Sequence, residues 1–439
     1  MTDLLPGTAA RLLPLVARVQ REGRAPSLVA GVVRGGGLVW SAGRGDVAAP
    51  HTDVQYRLGS ITKPVTAVAV MRLRDEGRLD LDDALEDHLP GTPFGRRTVG
   101  QLLAHVGGVG AESPGSWWER TPGGPLEELP LTEADRVLAA GRRFHYSNLG
   151  FGLLGQLAAR LRGRSWEQVV REEVLLPLGM DRTTTRPSGV AASGFAVHPW
   201  ADVVLPEPEH DAGAMAPAGQ LWATLTDLGR FAAFLLGDTG DVLAADTLAE
   251  MCEPAGVDAS ATGWAAYGLG LQVQRVGERT LVGHGGSMPG FLAMVLVDRE
   301  EQTGGVALAN STSGVDLSVV PRMLDVVREA EPRVVDAWAP SAPPVPLDVL
   351  GPWYWGPAPA VLRATADGLL HLSGLGRQGR TSRFRPLGGD RWVGLDGYYA
   401  GEVLQVSPTR LELATFVYTR TPYDPDADVP GGVDPGGWR

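Results

Sequence analysis

Gly59-Ser60-Ile61-Thr62-Lys63-Pro64 is the stretch from which the rest of this chain can be read. Lys63 is the only lysine. Lys and Arg together number 39, so 39 − 1 = 38 of the basic residues are arginine. Arginine keeps its proton in a protein, whereas lysine gives it up when buried or crowded by positive charge. Pro64 has no N–H and suits a first helical turn, and Val65, Val68, Ala69 and Met71 continue at helical spacing to Gly77. Ser60 therefore lies at or just before a helix N-terminus, with Lys63 three residues on and on the same face. The partial positive charge there disfavours an ammonium at Lys63 and favours negative charge on the serine oxygen. A free lysine titrates near ~10.4, so a downward shift of a few units would make Lys63 the base that activates Ser60.

Around this stretch the chain has 439 residues, 44% hydrophobic and 21% charged, as in an ordinary globular protein of two or three domains. The net charge of −12 argues against a nucleic-acid partner. A single cysteine, Cys252, excludes an internal disulfide framework and a cysteine zinc site. Leu12, Leu13, Leu15, Val16 and Val19 alternate with arginines near the N-terminus, which is the spacing of a surface helix. No run approaches the ~18 apolar residues of a membrane span. The expectation is a cytoplasmic protein with no membrane partner.

Leu28–Arg34 and Leu38–Ala42, joined by Gly35-Gly36-Gly37, read as a hairpin. Residues 79–236 read as mostly helical, with helices at Gly150–Leu161 and at Thr226–Leu236, the latter capped by Thr226. Strands return at Tyr267–Arg275, Arg279–Gly283, Phe291–Asp298 and Gly304–Ala309, and a helix follows over Val315–Arg328. This order predicts one antiparallel sheet whose two ends meet, with a helical region at about 79–240 inserted, in a domain spanning 1–330. Five prolines between Pro332 and Pro346 mark a linker over 331–347. Short runs rich in tryptophan and tyrosine across 348–422 predict a small all-β barrel or sandwich, and 423–439 reads as a coil tail.

Two further segments carry chemistry. Phe144-His145-Tyr146-Ser147-Asn148 precedes a helix and offers a phenol and an amide, although alone it reads as a buried tyrosine and an N-cap asparagine. Leu281-Val282-Gly283-His284-Gly285-Gly286-Ser287 reads as a strand ending in histidine, followed by glycines that let a backbone approach a ligand closely. The acidic group Asp80, Asp82, Asp83, Glu86 and Asp87 reads as a solvated face or helix N-terminus. Trp117 and Trp118 could wall a pocket or form a satellite core.

In this order Ser60-x-x-Lys63, Tyr146-x-Asn148 and His284-Gly285-Gly286 resemble the serine β-lactamase and penicillin-binding-protein superfamily. Thr98–His105, Pro177–Met180 and Pro217–Trp222 are similar to the branch near class C β-lactamases, which includes esterases, D-aminopeptidases and DD-peptidases. The likeness runs from about residue 10 to 330, and the C-terminal region resembles the lipocalin-like β domain appended to many such hydrolases. The resemblance implies an α+β fold, in which an antiparallel sheet is flanked by helices and followed by a small all-β barrel. It makes Ser60 the acyl-forming nucleophile, Lys63 and Tyr146 the proton-transfer pair, and Asn148 a positioning group. The Ser60 and Ser287 N–H groups would form the oxyanion hole beside His284, Gly285 and Gly286.

His284 stands where the superfamily usually has lysine, so the fixed ammonium that would hold a substrate carboxylate is absent. The expectation is a serine hydrolase of small esters, amides or peptides, without metal or cofactor. An acyltransferase or peptide cyclase using the same acyl-serine, a β-lactamase or DD-carboxypeptidase, and a non-catalytic binding protein are the alternatives. No Gly-x-Ser-x-Gly elbow and no His-Glu-x-x-His motif occurs. Oligomeric state is not legible.

Overall fold

The computed structural model describes residues 3–259, 265–335, 337–340, 342–365, 368–376 and 380–422, so the tail expected over 423–439 lies outside the described residues. The described chain divides into two compact units that meet in sequence at Val334/Val335. No helix among these residues is long and apolar enough to cross a membrane.

The first unit is built on one antiparallel sheet. Its strands are β1 Ser27–Arg34, β2 Gly37–Gly45, β3 Gly256–Val257, β4 Ala265–Tyr267, β5 Gln272–Val276, β6 Arg279–Met288, β7 Phe291–Asp298 and β8 Thr303–Ala309. They lie in the order β2-β1-β8-β7-β6-β5-β4-β3, so β1 from the start of the chain pairs with β8 near the unit's end, Val29 facing Leu308. The principal helices are α1 Pro6–Glu22, α2 Thr62–Asp75, α3 Asn148–Arg162, α4 Leu225–Leu236 and α5 Val319–Ala330.

Side chains alternate across a strand, and both faces of this sheet are covered. Leu28, Ala30, Val32, Ala307 and Ala309 pack with Leu12, Val16, Met323 and Leu324 of α1 and α5. Val29, Val33, Val306 and Leu308 face the larger core holding α2, α3 and α4. Within that core α2 is enclosed almost all round, since every residue from Thr62 to Met71 is buried. A helix buried on all sides keeps any polar group it carries away from water, and Lys63 is such a group.

The structure revises several local readings. The segment 104–147 contains only two short 3-10 turns, because its glycines and prolines end each helical start. Tyr267–Arg275 is two strands joined by a tight turn, where Gly268 N–H donates to Leu271 O at 2.8 Å and Gly270 has φ +86°. The strand from Arg279 does not end at His284 but runs through both glycines to Met288, paired with β7 from Leu281 on. The helix expected from Val315 begins at Val319. α4 is capped by Thr224, whose hydroxyl accepts from Asp227 N–H at 3.1 Å, whereas Thr226 donates to Thr52 O. In the acidic group Asp83 accepts from Asp80 N–H and pairs with His88, so it closes a loop.

The second unit is a closed eight-stranded barrel: β9 Gly351–Trp355, β10 Ala358–Ala364, β11 Leu370–Gly374, β12 Thr381–Gly388, β13 Arg391–Gly394, β14 Val403–Val406, β15 Arg410–Leu413 and β16 Phe416–Thr419. Its interior holds Trp353, Leu362, Leu370, Phe384, Leu404 and Leu411. The run Arg410–Val417 is broken by a turn at Ala414, whose φ is +51°, and becomes two strands.

The two threonines at α4 separate in a stability measurement. Thr224→Ala should cost about 1 kcal/mol through loss of an N-cap, read from the urea midpoint, and Thr226→Ala clearly less. Equal losses would mean that the helix end is not held by Thr224.

Candidate active site

Ser60 sits in a 3-10 turn, Gly59–Ile61, that leads directly into α2. That turn requires glycine at 59, which adopts φ +55° and where a methyl would stand 2.6 Å from the Ser287 nitrogen. A methyl on Gly286 would stand 1.9 Å from Leu58 O and 3.2 Å from the Ser60 nitrogen. Glycine at both positions lets β6 lie directly against the serine turn, with the Ser60 and Ser287 backbones side by side.

One helical turn on, the wholly buried Lys63 Nζ lies 2.8 Å from Ser60 Oγ and donates to Ala218 O at 2.8 Å. Burial disfavours its charge and pulls its pKa down to about 7, while Glu112 and Glu119 act in the opposite direction. Its amine also faces the Tyr146 ring, 4.9 Å from the centroid. The Tyr146 phenol is hydrogen-bonded to the Ser60 side chain, and burial raises its pKa well above the usual phenol range. Tyr146 is therefore protonated at neutral pH, and Lys63 is the group in this pair that titrates there.

Tyr146 is positioned by the loop before α3. Ser147, and not Asn148, caps that helix: its hydroxyl accepts from Gly150 N–H at 2.8 Å and donates to Gly110 O at 2.6 Å. Asn148 has its amide nitrogen committed to a carboxylate. Its amide nitrogen donates to both Glu112 oxygens, at 2.8 and 3.0 Å, and Trp118 Nε1 donates to Glu112 at 2.6 Å. Behind Tyr146 lies His105, buried, with φ +57° and ring centroids 4.2 Å apart. Its Nδ1 accepts from Ser147 N–H, and burial depresses its pKa.

His284, on β6, accepts at Nε2 from the Tyr267 hydroxyl at 2.8 Å, while its Nδ1 side is held by Gly285 O. Burial, with Lys63 nearby, lowers its pKa to about 3. It is a neutral imidazole that brings no fixed positive charge to the site. Gly285 N–H donates to the Gln272 side chain at 3.0 Å.

Sequence reasoning missed Glu112, Glu119 and Tyr267. Glu119 is held by Trp117 Nε1 at 3.0 Å, and its pKa is raised by burial and by Glu112. The two tryptophans divide: Trp118 is core, and Trp117 is exposed beneath Arg120. Isolated acidic residues in a Gly/Pro-rich stretch carry no pattern that separates them from surface residues, so no local signal distinguished these two.

Residues 14–328 match the family model described as Beta-lactamase, and residues 342–420 match a domain of unknown function (DUF7586). Among curated proteins, the chain is 27% identical over 263 residues to Beta-lactamase-like protein 2 of Dictyostelium discoideum, with 55% of this chain and 48% of that protein aligned. It thus spans about half the length of that relative. It is 28% identical over 338 residues to Penicillin-binding protein 4 of Amycolatopsis lactamdurans, covering 70% of this chain and 85% of that protein. Among solved structures, a D-stereospecific amidohydrolase from Streptomyces sp. superposes with a TM-score of 0.62 at 25% identity, covering 74% of this chain and 98% of that one.

The carboxylates hold the Lys63 pKa up against burial, and this can be measured. Glu112→Gln should lower the Lys63 pKa, so the pH midpoint of fluorophosphonate labelling at Ser60 should move to lower pH. A midpoint that stays put or rises would show that Glu112 does not act on Lys63.

Proposed function

The chain belongs to the Beta-lactamase family of serine hydrolases, and on that premise we propose that it cleaves small amides or esters through an acyl-enzyme on Ser60. The single observation that carries this reading is the buried amine of Lys63, 2.8 Å from Ser60 Oγ, with its pKa drawn down to about 7. An amine half deprotonated near neutrality can take the serine proton and return it, which a guanidinium cannot do.

In the proposed sequence Ser60 Oγ attacks the substrate carbonyl carbon while its proton passes to Lys63 Nζ. The carbonyl π electrons move to oxygen, and the resulting oxyanion accepts the Ser60 and Ser287 N–H groups. Collapse breaks the bond to the amine or alcohol, which leaves with a proton relayed from Lys63 through the Tyr146 phenol. Water then attacks the acyl carbon as its proton passes to Lys63, the acyl carbon–Oγ bond breaks, and Lys63 returns that proton to Ser60 Oγ, which restores the neutral amine and releases the acid. Asn148 positions the substrate through its free carbonyl oxygen, which has no partner among the described residues.

The charge around the serine suggests which acyl groups fit. His284 is neutral and brings no cation for a substrate carboxylate, whereas Glu112 and Glu119 both act on Lys63. A substrate whose acyl half carries an ammonium is favoured by such surroundings, and one whose acyl half carries a carboxylate is disfavoured. Amino-acid amides and esters with a free α-amine meet this condition. The Streptomyces amidohydrolase, D-stereospecific by name, supports an amide of a D-amino acid within that class.

Ser60→Ala should abolish turnover of a p-nitrophenyl ester, and Lys63→Arg should reduce it by at least about a hundredfold, the lower range for a lost general base. Retained turnover in the first removes the nucleophile, and wild-type rates in the second make Lys63 an ion-pair partner only. Since the neutral amine is the base, acylation should rise with pH through about 7 and level above it. A flat or falling profile contradicts the assignment. In a panel of free-amine, N-acetylated and N-succinylated D- and L-alanine p-nitroanilides, the free amines should show the highest kcat/KM. Preference for the succinylated compounds would overturn the charge argument.

A further inference from the structure

In an up-and-down barrel alternate connections fall at the same end. At one end, among the described residues, Arg420 lies over the core. Arg420 stacks over Trp353 with its guanidinium carbon 3.7 Å from the ring centroid, and its nitrogens donate to the carbonyls of Asp348, Leu350, Pro352 and Pro408. Trp353 Nε1 is also spent, on Val349 O. The other end is where β9–β10, β13–β14 and β15–β16 connect, with Gly374, Gly376 and Arg380 beside them, and it holds a cavity of about 430 Å³. That is within the roughly 300–1,000 Å³ of small-molecule sites. Its walls are Trp355, Pro359, Ala360 and Leu372, and its polar groups are Arg380, Tyr399 and Tyr418.

The polar groups are arranged to donate. The Tyr399 and Tyr418 hydroxyls are 3.2 Å apart and buried, and Arg380 donates to Tyr399. A bond between two hydroxyls uses one of their two hydrogens, so one O–H is left over whichever way it runs. Arg380 is exposed, stacked 3.7 Å from the Tyr398 centroid and 5.1 Å from that of Phe416. The groups acting on its charge are all tyrosines, and no carboxylate among the described residues pairs with it. An apolar cavity whose rim offers a guanidinium with no carboxylate partner among the described residues, and a spare phenolic hydrogen, suits an acceptor with negative charge.

We propose that the open end of the C-terminal barrel binds an organic carboxylate with an apolar body, the carboxylate on Arg380 and the tyrosine pair, the body against Trp355 and Leu372. The ligand is held without covalent change.

Calorimetric titration of the full chain with octanoate, 3-phenylpropionate, 1-octanol and octyltrimethylammonium tests this. At least one of the two acids should bind with one site per chain and at least tenfold more tightly than the alcohol or the ammonium. Tighter binding of octanoate points to a lipid-derived acid, and tighter binding of 3-phenylpropionate to an aromatic one. Arg380→Gln, an exposed position whose change leaves the barrel core intact, should weaken the acid at least tenfold, and Tyr418→Phe severalfold. Unchanged affinity in Arg380→Gln, equal binding of the alcohol, or no binding of either acid would overturn the proposal.

Discussion

Burying one amine against one hydroxyl is the constraint on which the first unit depends. Lys63 can be unprotonated near neutrality only because α2 is enclosed nearly all round and its Nζ sees a hydroxyl, a carbonyl and an aromatic face in place of water. Enclosing α2 requires the sheet behind it, and closing that sheet requires β1 to pair with β8 across almost the whole unit. The same demand sets the glycines. β6 must touch the serine turn, and Gly59 and Gly286 are where side chains would keep the two backbones apart.

How much of this is legible beforehand follows the range of each interaction. Ser60 and Lys63 are three residues apart, so helix geometry alone places them together, and a single lysine among arginines draws attention to the pair. Period-two runs found most strands of the sheet. Boundaries failed where two effects compete locally. Thr224 and Thr226 are both good caps, and only the backbone path shows which hydroxyl faces the free N–H groups. His284 looked like a strand end because glycines follow it, yet pairing with β7 carries the strand on, tertiary contacts overriding the weak strand preference of glycine.

Glu112, Glu119 and Tyr267 could not be read at all, because their meaning is their distance from something remote in sequence. Glu112 matters through Asn148, 36 positions away, and Tyr267 through His284. Asn148 illustrates the cost of reading a motif without its surroundings. The motif marks Asn148 as a positioning group, whereas the fold commits its amide nitrogen to a carboxylate, and that carboxylate then acts on Lys63 through space.

The site is thus a balance of two terms of opposite sign. Desolvation alone would drive the lysine pKa lower still, and a lysine that never protonates cannot hand a proton to a leaving group. Glu112 and Glu119 counter this and bring the amine back to a value where both forms are populated. Lys63 in turn stabilises the charge on Glu119, whose own pKa burial raises. Nearby His105 and His284 have no such compensation: burial is the leading influence on each, and Lys63 adds to it. They remain neutral, so Lys63 is the basic group of this cluster left to titrate in the physiological range. In the proposed mechanism, the one lysine of a chain that uses arginine everywhere else stands where a cation must be able to cease being one.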